Sequence, residues 1–402
     1  MNDACFLYVF FFICVNIRTF LRKGRFARVN NQSDMTINTI KNLVSLKHSL
    51  LPIFRRTCKN NYVERRLYTS SLKFQQSREI TRKVKSYGKL FIELPCNVQV
   101  KSIDPHKFPN MDTFLVNIHS DNTQCVDIEK LINIQTDESF SEITVKNCDT
   151  SNFSSDTVLV FQTPIQYDID VKVYGDSDAS ISNILSQFIS AVTERGNIEA
   201  SKLQSNRMKF ISSHGGSIVL TKSLQGDIEA RTTNEGSITA EKCLGTNLQM
   251  RTENGNINLG SNYCEIANFS TINGELNLNN LHMEAIAEIK GEGCLHVSCL
   301  DGSLQANVKK GDSKINVVRL TGKSQIISEG LVDLIIPKEN NIELNLKGNT
   351  LSLHESLRGS SVAKEQTFKT KGKIPLNVET LGSLKIKSLS WAESFQLGKF
   401  TK

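Results

Sequence analysis

The sequence predicts an all-β chain: a parallel β-solenoid, or β-helix, of about 20-residue rungs, with a β-rich N-terminal part and C-terminal capping strands. Three observations lead there. A glycine-led phrase recurs at short, regular intervals through the second half of the chain. Within each copy apolar and polar residues alternate. The apolar fraction of 39% is low for a large spherical core and suits an elongated stack in which half of each strand is buried.

The phrase reads GNIEA at Gly196, GSIVL at Gly216, GDIEA at Gly226 and GSITA at Gly236. It continues as GNINL at Gly255, GELNL at Gly274, GCLHV at Gly293 and GSLQA at Gly302, and a weaker GSLKI returns at Gly382. Residues two and four after the glycine share one strand face, such as Ile198 with Ala200, Ile228 with Ala230 and Ile257 with Leu259. The glycine is expected to supply a turn other residues adopt poorly, and the polar neighbour to bond the turn backbone. Each phrase then makes one strand of about five residues, roughly 17 Å long. Two such units make a rung, and neighbouring rungs cover its apolar edge, isoleucine on isoleucine and alanine on alanine. The competing architecture is an antiparallel sandwich or meander, whose turn signals have similar spacing.

A second internal match brackets the repeats. TVLVFQTPIQYDIDVKVYG ends at Gly175 and GLVDLIIPKENNIELNLKG ends at Gly348. In each, an alternating apolar strand runs into a proline, Pro164 or Pro337, and a second strand follows. The chain therefore divides into a basic, largely disordered leader (1–85), a β-rich N-terminal part (86–190), solenoid repeats (191–348) and a C-terminal connection with capping strands (349–402). Residues 349–381 read as a looser polar connection, and Ile374–Ser390 as the cap.

Charge is unevenly spread. The net charge is +7, but residues 1–85 hold 17 Lys/Arg against 4 Asp/Glu, and the rest holds 31 against 37. The basic character belongs to the leader, so a nucleic-acid partner is not expected. Residues 4–15, ACFLYVFFFICV, are apolar but too short for a comfortable bilayer span, which needs about 20 residues. They fit a signal-peptide core or a short N-terminal anchor, and no other stable membrane span is expected. Met1 and Met35 both stand as candidate starts. After Met35 comes a basic, amphipathic segment with no acid until Glu64, the physical form of a mitochondrial presequence. Arg66 lies two residues before Tyr68, a pattern resembling a matrix-processing site with cleavage after Tyr68. The expected address is the mitochondrial matrix; a secreted or cell-surface location is the alternative.

The strand–proline–strand pair followed by serial G-x-I-x-A/L phrases resembles the "putative adhesin" family, a bacterial-type β-solenoid domain of unknown function. The resemblance covers roughly 90–390. It implies a solenoid fold and no catalytic residues; attached to a presequence, the domain looks like an animal member.

No chemical constellation stands out. Of the ten cysteines no two form a CxxC pair, so a structural zinc is not expected and buried free thiols are, with a Cys294–Cys299 disulfide as the minor alternative. The histidines (His48, His106, His119, His214, His282, His296 and His354) are spread singly and read as solvated or structural. Neither a nucleophile elbow nor a phosphate-binding loop is present. Asp227, Glu229, Glu235 and Glu241 sit in neighbouring repeats, and Glu199, Glu229 and Thr239 share one outward position of their phrases. Such carboxylates would need a cleft and a set separation to act as acid and base. Three function classes follow. The first is a non-enzymatic scaffold or interaction module with a protein partner the sequence does not name and no cofactor. The second is a secreted or tethered adhesin-like protein, for which the sequons at Asn31, Asn152 and Asn268 matter. The weakest is a carbohydrate-active solenoid enzyme.

Overall fold

The structure, a computed structural model, describes residues 79–119, 128–148, 153, 156–338, 341–354, 357 and 366–390. The apolar segment 4–15, Met35, and the Arg66–Tyr68 site lie outside the described residues.

The N-terminal elements are β1 (Glu79–Lys83), β2 (Tyr87–Leu94), β3 (Asn97–Ser102), β4 (Thr113–His119), a single-turn helix α1 (Ile128–Leu131), β5 (Ile132–Thr136), β6 (Glu142–Asn147), β7 (Val158–Thr163) and β8 (Gln166–Val173). Seven long strands follow: β9 (Ala179–Thr193), β10 (Ile198–Ser212), β11 (Ile218–Thr232), β12 (Ile238–Arg251), β13 (Ile257–Thr271), β14 (Leu276–Glu292) and β15 (Leu295–Lys310). The C-terminal strands are β16 (Ser313–Leu320), β17 (Ser324–Ser328), β18 (Val332–Pro337), β19 (Ile342–Lys347), β20 (Thr350–Leu353), β21 (Thr367–Lys369), β22 (Ile374–Thr380) and β23 (Ser383–Leu389).

β9 to β15 are the rungs, and each pairs in parallel with the next. This is the stacked solenoid and not the antiparallel alternative. Each rung carries two phrase units joined by a short middle limb. At the first bend Asn183, Lys202 and Lys222 take left-handed φ angles of 57°, 53° and 64°. At the second bend stand Gly226 and Gly245. Thus Gly216 and Gly236 open first limbs, whereas Gly226 and Gly302 open second limbs.

The core is a set of ladders. Ile198, Ile218, Ile238, Ile257, Leu276 and Leu295 stack in register, all fully buried. Alanine stacks on alanine as expected at Ala267–Ala285 and Ala287–Ala306, but other phrase alanines meet larger residues. Ala230 lies between Phe210 and Met250, and Ala240 between Leu220 and Leu259. In these two columns large residues flank the small one, which keeps the interior close-packed along the axis.

Gly226, at φ +136°, takes the turn conformation expected of a phrase glycine, but the first-limb glycines have a different reason. Gly196, Gly216, Gly236, Gly255, Gly274 and Gly293 are absent from the residues with left-handed φ. A methyl group at Gly255 would instead overlap the carbonyl oxygen of Gly236, one rung away, and the same holds from Gly216 to Gly293. Close backbone approach, not turn conformation, requires glycine here. Buried hydroxyls tie these corners: Thr193 Oγ1 donates to the Gly196 carbonyl at 2.7 Å, Thr232 to Gly236 at 2.7 Å and Thr252 to Gly255 at 2.8 Å.

Both ends use one device. β8 stacks on β9, but β7, its neighbour in sequence, lies beyond β3, which also pairs with β9. The chain thus steps to another rung at Pro164, and the β2–β3 corner fills the vacated places, β2 pairing with β8 and β6. At the other end β18 pairs with β16 and β23, while β19 pairs with β22 and β21. The step there falls at Pro337, and the β22–β23 corner is inserted. The two proline matches in the sequence mark these crossings.

Three segment expectations change. Residues 79–83, within the expected disordered leader, form β1 and pair antiparallel with β4. Residues 349–381, read as loose, contain β20, β21 and β22. Residues 374–389 are interior strands, and among the described residues the outer edges at that end are the short β20 and β21, each with one partner strand. Short edges limit pairing with other chains.

Candidate functional site

The middle limb presents one outward residue per rung. Register aligns Leu185, Gln204, Gln225, Leu244 and Tyr263. His282, Asp301 and Arg319 continue the line. The two halves of this face differ in character.

In the C-terminal half large side chains fill the face. The Tyr263 ring stacks on the His282 imidazole with centroids 4.6 Å apart, and Lys242 Nζ lies 5.3 Å from the Tyr263 centroid. His282 Nδ1 is 3.4 Å from Asp301 Oδ2. Asp301 takes a two-point contact from Arg319, at 2.6 and 3.1 Å. In the sequence His282 stands singly, with no neighbouring histidine. The signal that finds this column is the rung step itself, since Tyr263, His282 and Asp301 are spaced by one rung.

In the N-terminal half the face is an open groove of about 1130 Å³. Its floor climbs through Leu185–Gln187, Gln204–Asn206, Gln225–Asp227 and Gly245–Thr246. Tyr87, Lys89 and Glu142 stand at its N-terminal end, and Gln166 and Asp168 lie between. Asn206 Nδ2 donates to Gln187 Oε1 at 2.5 Å. Asp168 Oδ1 accepts the Gln187 and Phe188 amides at 2.9 and 3.0 Å, and Asp227 Oδ1 accepts the Asn247 amide at 3.0 Å. These two carboxylates thus brace the second bend. Gly226 and Gly245 keep the groove floor low, since a methyl at Gly226 would overlap the Ser205 carbonyl.

The carboxylates singled out from sequence do not converge. Glu199 and Thr239 belong to first-limb columns, whereas Glu229 stands on a second limb beside Lys209 and Gln249. Glu241 accepts the Lys222 amide at 2.6 Å, and Glu229 is 3.9 Å from Arg207. His214 is exposed in a turn, and His296 faces outward from a first limb beside Asn277 and Lys314. Cys294 and Cys299 are free thiols, as are the buried Cys96, Cys243 and Cys264. Asn268 sits half-buried in a second-limb strand, while Asn31 and Asn152 lie outside the described residues. Among the described residues no group of three His, Cys, Asp or Glu is placed to hold a metal ion. Among those residues no helix is long and apolar enough to cross a membrane.

Residues 210–380 match the Toastrack DUF4097 family model. The Toastrack match starts inside β10 and ends with β22, so it takes in β11 to β15 and most of the C-terminal crossing. The groove straddles its beginning. Solved structures similar to the chain include a "putative adhesin" from Parabacteroides distasonis, at 7% identity and TM-score 0.35, over 78% of this chain and 97% of that one. A "putative lipid binding protein" from the same organism matches at 11% identity and TM-score 0.33, over 77% and 96%. A "putative adhesin" from Parabacteroides merdae matches at 12% identity and TM-score 0.32, over 77% and 95%.

Proposed function

We propose that this chain is a non-enzymatic recognition module that holds an extended partner along its narrow middle face. The observation that carries this reading is the groove, where polar side chains recur rung by rung on a braced floor. Sites on rigid strands keep their geometry better than sites on loops. The dispersal of the carboxylates over separate limbs supports a binding role over acid–base chemistry. The test is a blocking pair, Gln204→Trp with Gln225→Trp, beside an outward second-limb control, Glu229→Trp. Size-exclusion profiles of native extracts are compared. Loss of the high-mass form only in the blocked protein supports the reading. A chain that elutes alone in every case sinks it.

Address is a separate question with two readings. An adhesin-like role at the cell surface or after secretion goes with the names carried by the solved neighbours. Mitochondrial import rests on the basic, acid-poor leader alone; with that leader the domain resembles the animal protein called family with sequence similarity 185 member A. N-terminal sequencing of the mature protein from fractionated cells separates them. A start near Thr69 in mitochondria supports import, and a start close after residue 15 in a surface or secreted fraction supports the adhesin-like reading.

A further inference from the structure

We infer that the groove is a binding site for a neutral polysaccharide chain lying parallel to the solenoid axis, about one sugar unit per rung. This rests on the recognition reading and names its ligand class. Four features of the groove select that class.

The first is hydrogen-bonding type. Gln166, Gln204 and Gln225 present primary amides, each with both donors and an acceptor. Sugar hydroxyls likewise donate and accept, so they pair with amides in either sense. The second is charge. Among the described residues, Lys89 is the only cation lining the groove, against Glu142, Asp168 and Asp227. A phosphorylated or sulfated polymer would meet net repulsion there, since polyanion binding depends on neutralising cations.

The third is polarity. An acyl chain laid along the floor would bury the glutamine amides without partners, which is unfavourable. Among the described residues, the large apolar side chains lining the groove are Tyr87, 59% exposed, and Leu185, 37% exposed, towards the N-terminal end. A tyrosine ring offers a flat face for the C–H side of a sugar and a hydroxyl for its rim. The fourth is backbone satisfaction. The floor is the interior of a parallel stack, with β10 paired on both sides. It therefore offers no free strand edge for a peptide to extend.

Dimensions agree. Rungs stack about 4.8 Å apart, close to the advance of one sugar unit in an extended chain. The groove takes in five successive levels from Gln166 to Thr246 and stays open along its length, which suits a segment of polymer better than a single sugar.

The test uses the folded full chain and titration calorimetry. The probes are cellohexaose, maltohexaose and chitohexaose, with a heparin hexasaccharide and phosphatidylcholine vesicles as charged and lipid comparisons. The expected result is binding of at least one neutral hexasaccharide, weaker for its trimer. Gln204→Ala with Gln225→Ala should weaken it by about tenfold or more. His296→Ala, facing outward from a first limb and away from the middle face, should leave it unchanged. Both glutamines are exposed, so the double variant keeps its fold, checked by an unchanged melting temperature. The inference is overturned by no neutral oligosaccharide binding at millimolar concentration, by binding of heparin or vesicles alone, or by sugar binding indifferent to the glutamine variant. If the sugars fail while the tryptophan pair still releases the high-mass form, the ligand class falls and the recognition reading stands.

Discussion

Gly382 stacks on Gly330: a methyl group at Gly382 would reach 2.5 Å from the Gly330 carbonyl oxygen. Thr380 Oγ1 donates to that same oxygen at 2.5 Å. The last copy of the phrase therefore returns to the glycine column after a long detour, and β22 and β23 close against β17 and β18.

Ending the chain at residue 365 should accordingly do more than trim a tail. It removes β21 to β23 and bares the β17 and β18 edges, with Ile326 and Leu334 beside them. Unpaired parallel edges are templates for association. The truncated chain is expected to aggregate or melt well below the intact one, read by light scattering during a thermal ramp. An unaltered melting curve would count against an interlocked end.

Glycines in the inter-rung column should be far less replaceable than those off it. Gly255→Ala drives a methyl into the Gly236 carbonyl, which forces neighbouring rungs apart, so a loss of several kcal/mol is expected. At Gly175, φ is +69° and nothing among the described residues lies within 4 Å of an added methyl. Gly175→Ala carries only the left-handed backbone cost, about 1 kcal/mol. Urea denaturation midpoints of the two variants give the comparison, and equal losses would remove the stacking argument.

Two buried hydroxyls should respond in opposite directions. Thr232, 1% exposed, bonds the Gly236 carbonyl, so Thr232→Val should lose about 1–2 kcal/mol. Ser313 is also 1% exposed, between Leu295 and Val332, and its hydroxyl has no hydrogen-bond partner among the described residues. Ser313→Ala should gain about 1 kcal/mol by removing an unpaired buried group. Matching signs in a chemical melt would refute this pairing.

The buried thiols predict an alkaline limit. Burial pushes Cys96 and Cys264 up to about 12, and raises Cys243 through burial first and Cys264 second. An unfolded thiol titrates near 9.0. The stabilisation is thus fully present below about pH 9 and is lost as pH climbs from there towards 12. Denaturation midpoints should fall across that window, and a Cys243→Ala, Cys264→Ala variant should show a shallower fall. In the folded protein at about pH 8, Ellman's reagent should leave all three thiols unlabelled.

The sequence by itself determined the rung. Alternation of period two and a glycine every one or two units are local properties, so the strands, their inward faces and the two units per rung are all legible in the phrases from Gly196 to Gly302. The two proline matches were legible too, as a repeat without a meaning. Only the tertiary structure decided what depends on which rung lies above which. That Gly255 needs to be glycine comes from the Gly236 carbonyl, which no local pattern contains. That Pro164 and Pro337 mark crossings follows from strands far apart in sequence filling the vacated places. Glu199 and Glu229 share a phrase position yet fall on different limbs, because two phrases make one turn of the stack. Tyr263 and His282 look unrelated in the chain, and they meet because a rung's length brings them into register, one step apart along the axis. Stacking turns a sequence interval into a distance, and the middle face with its groove is made by that conversion.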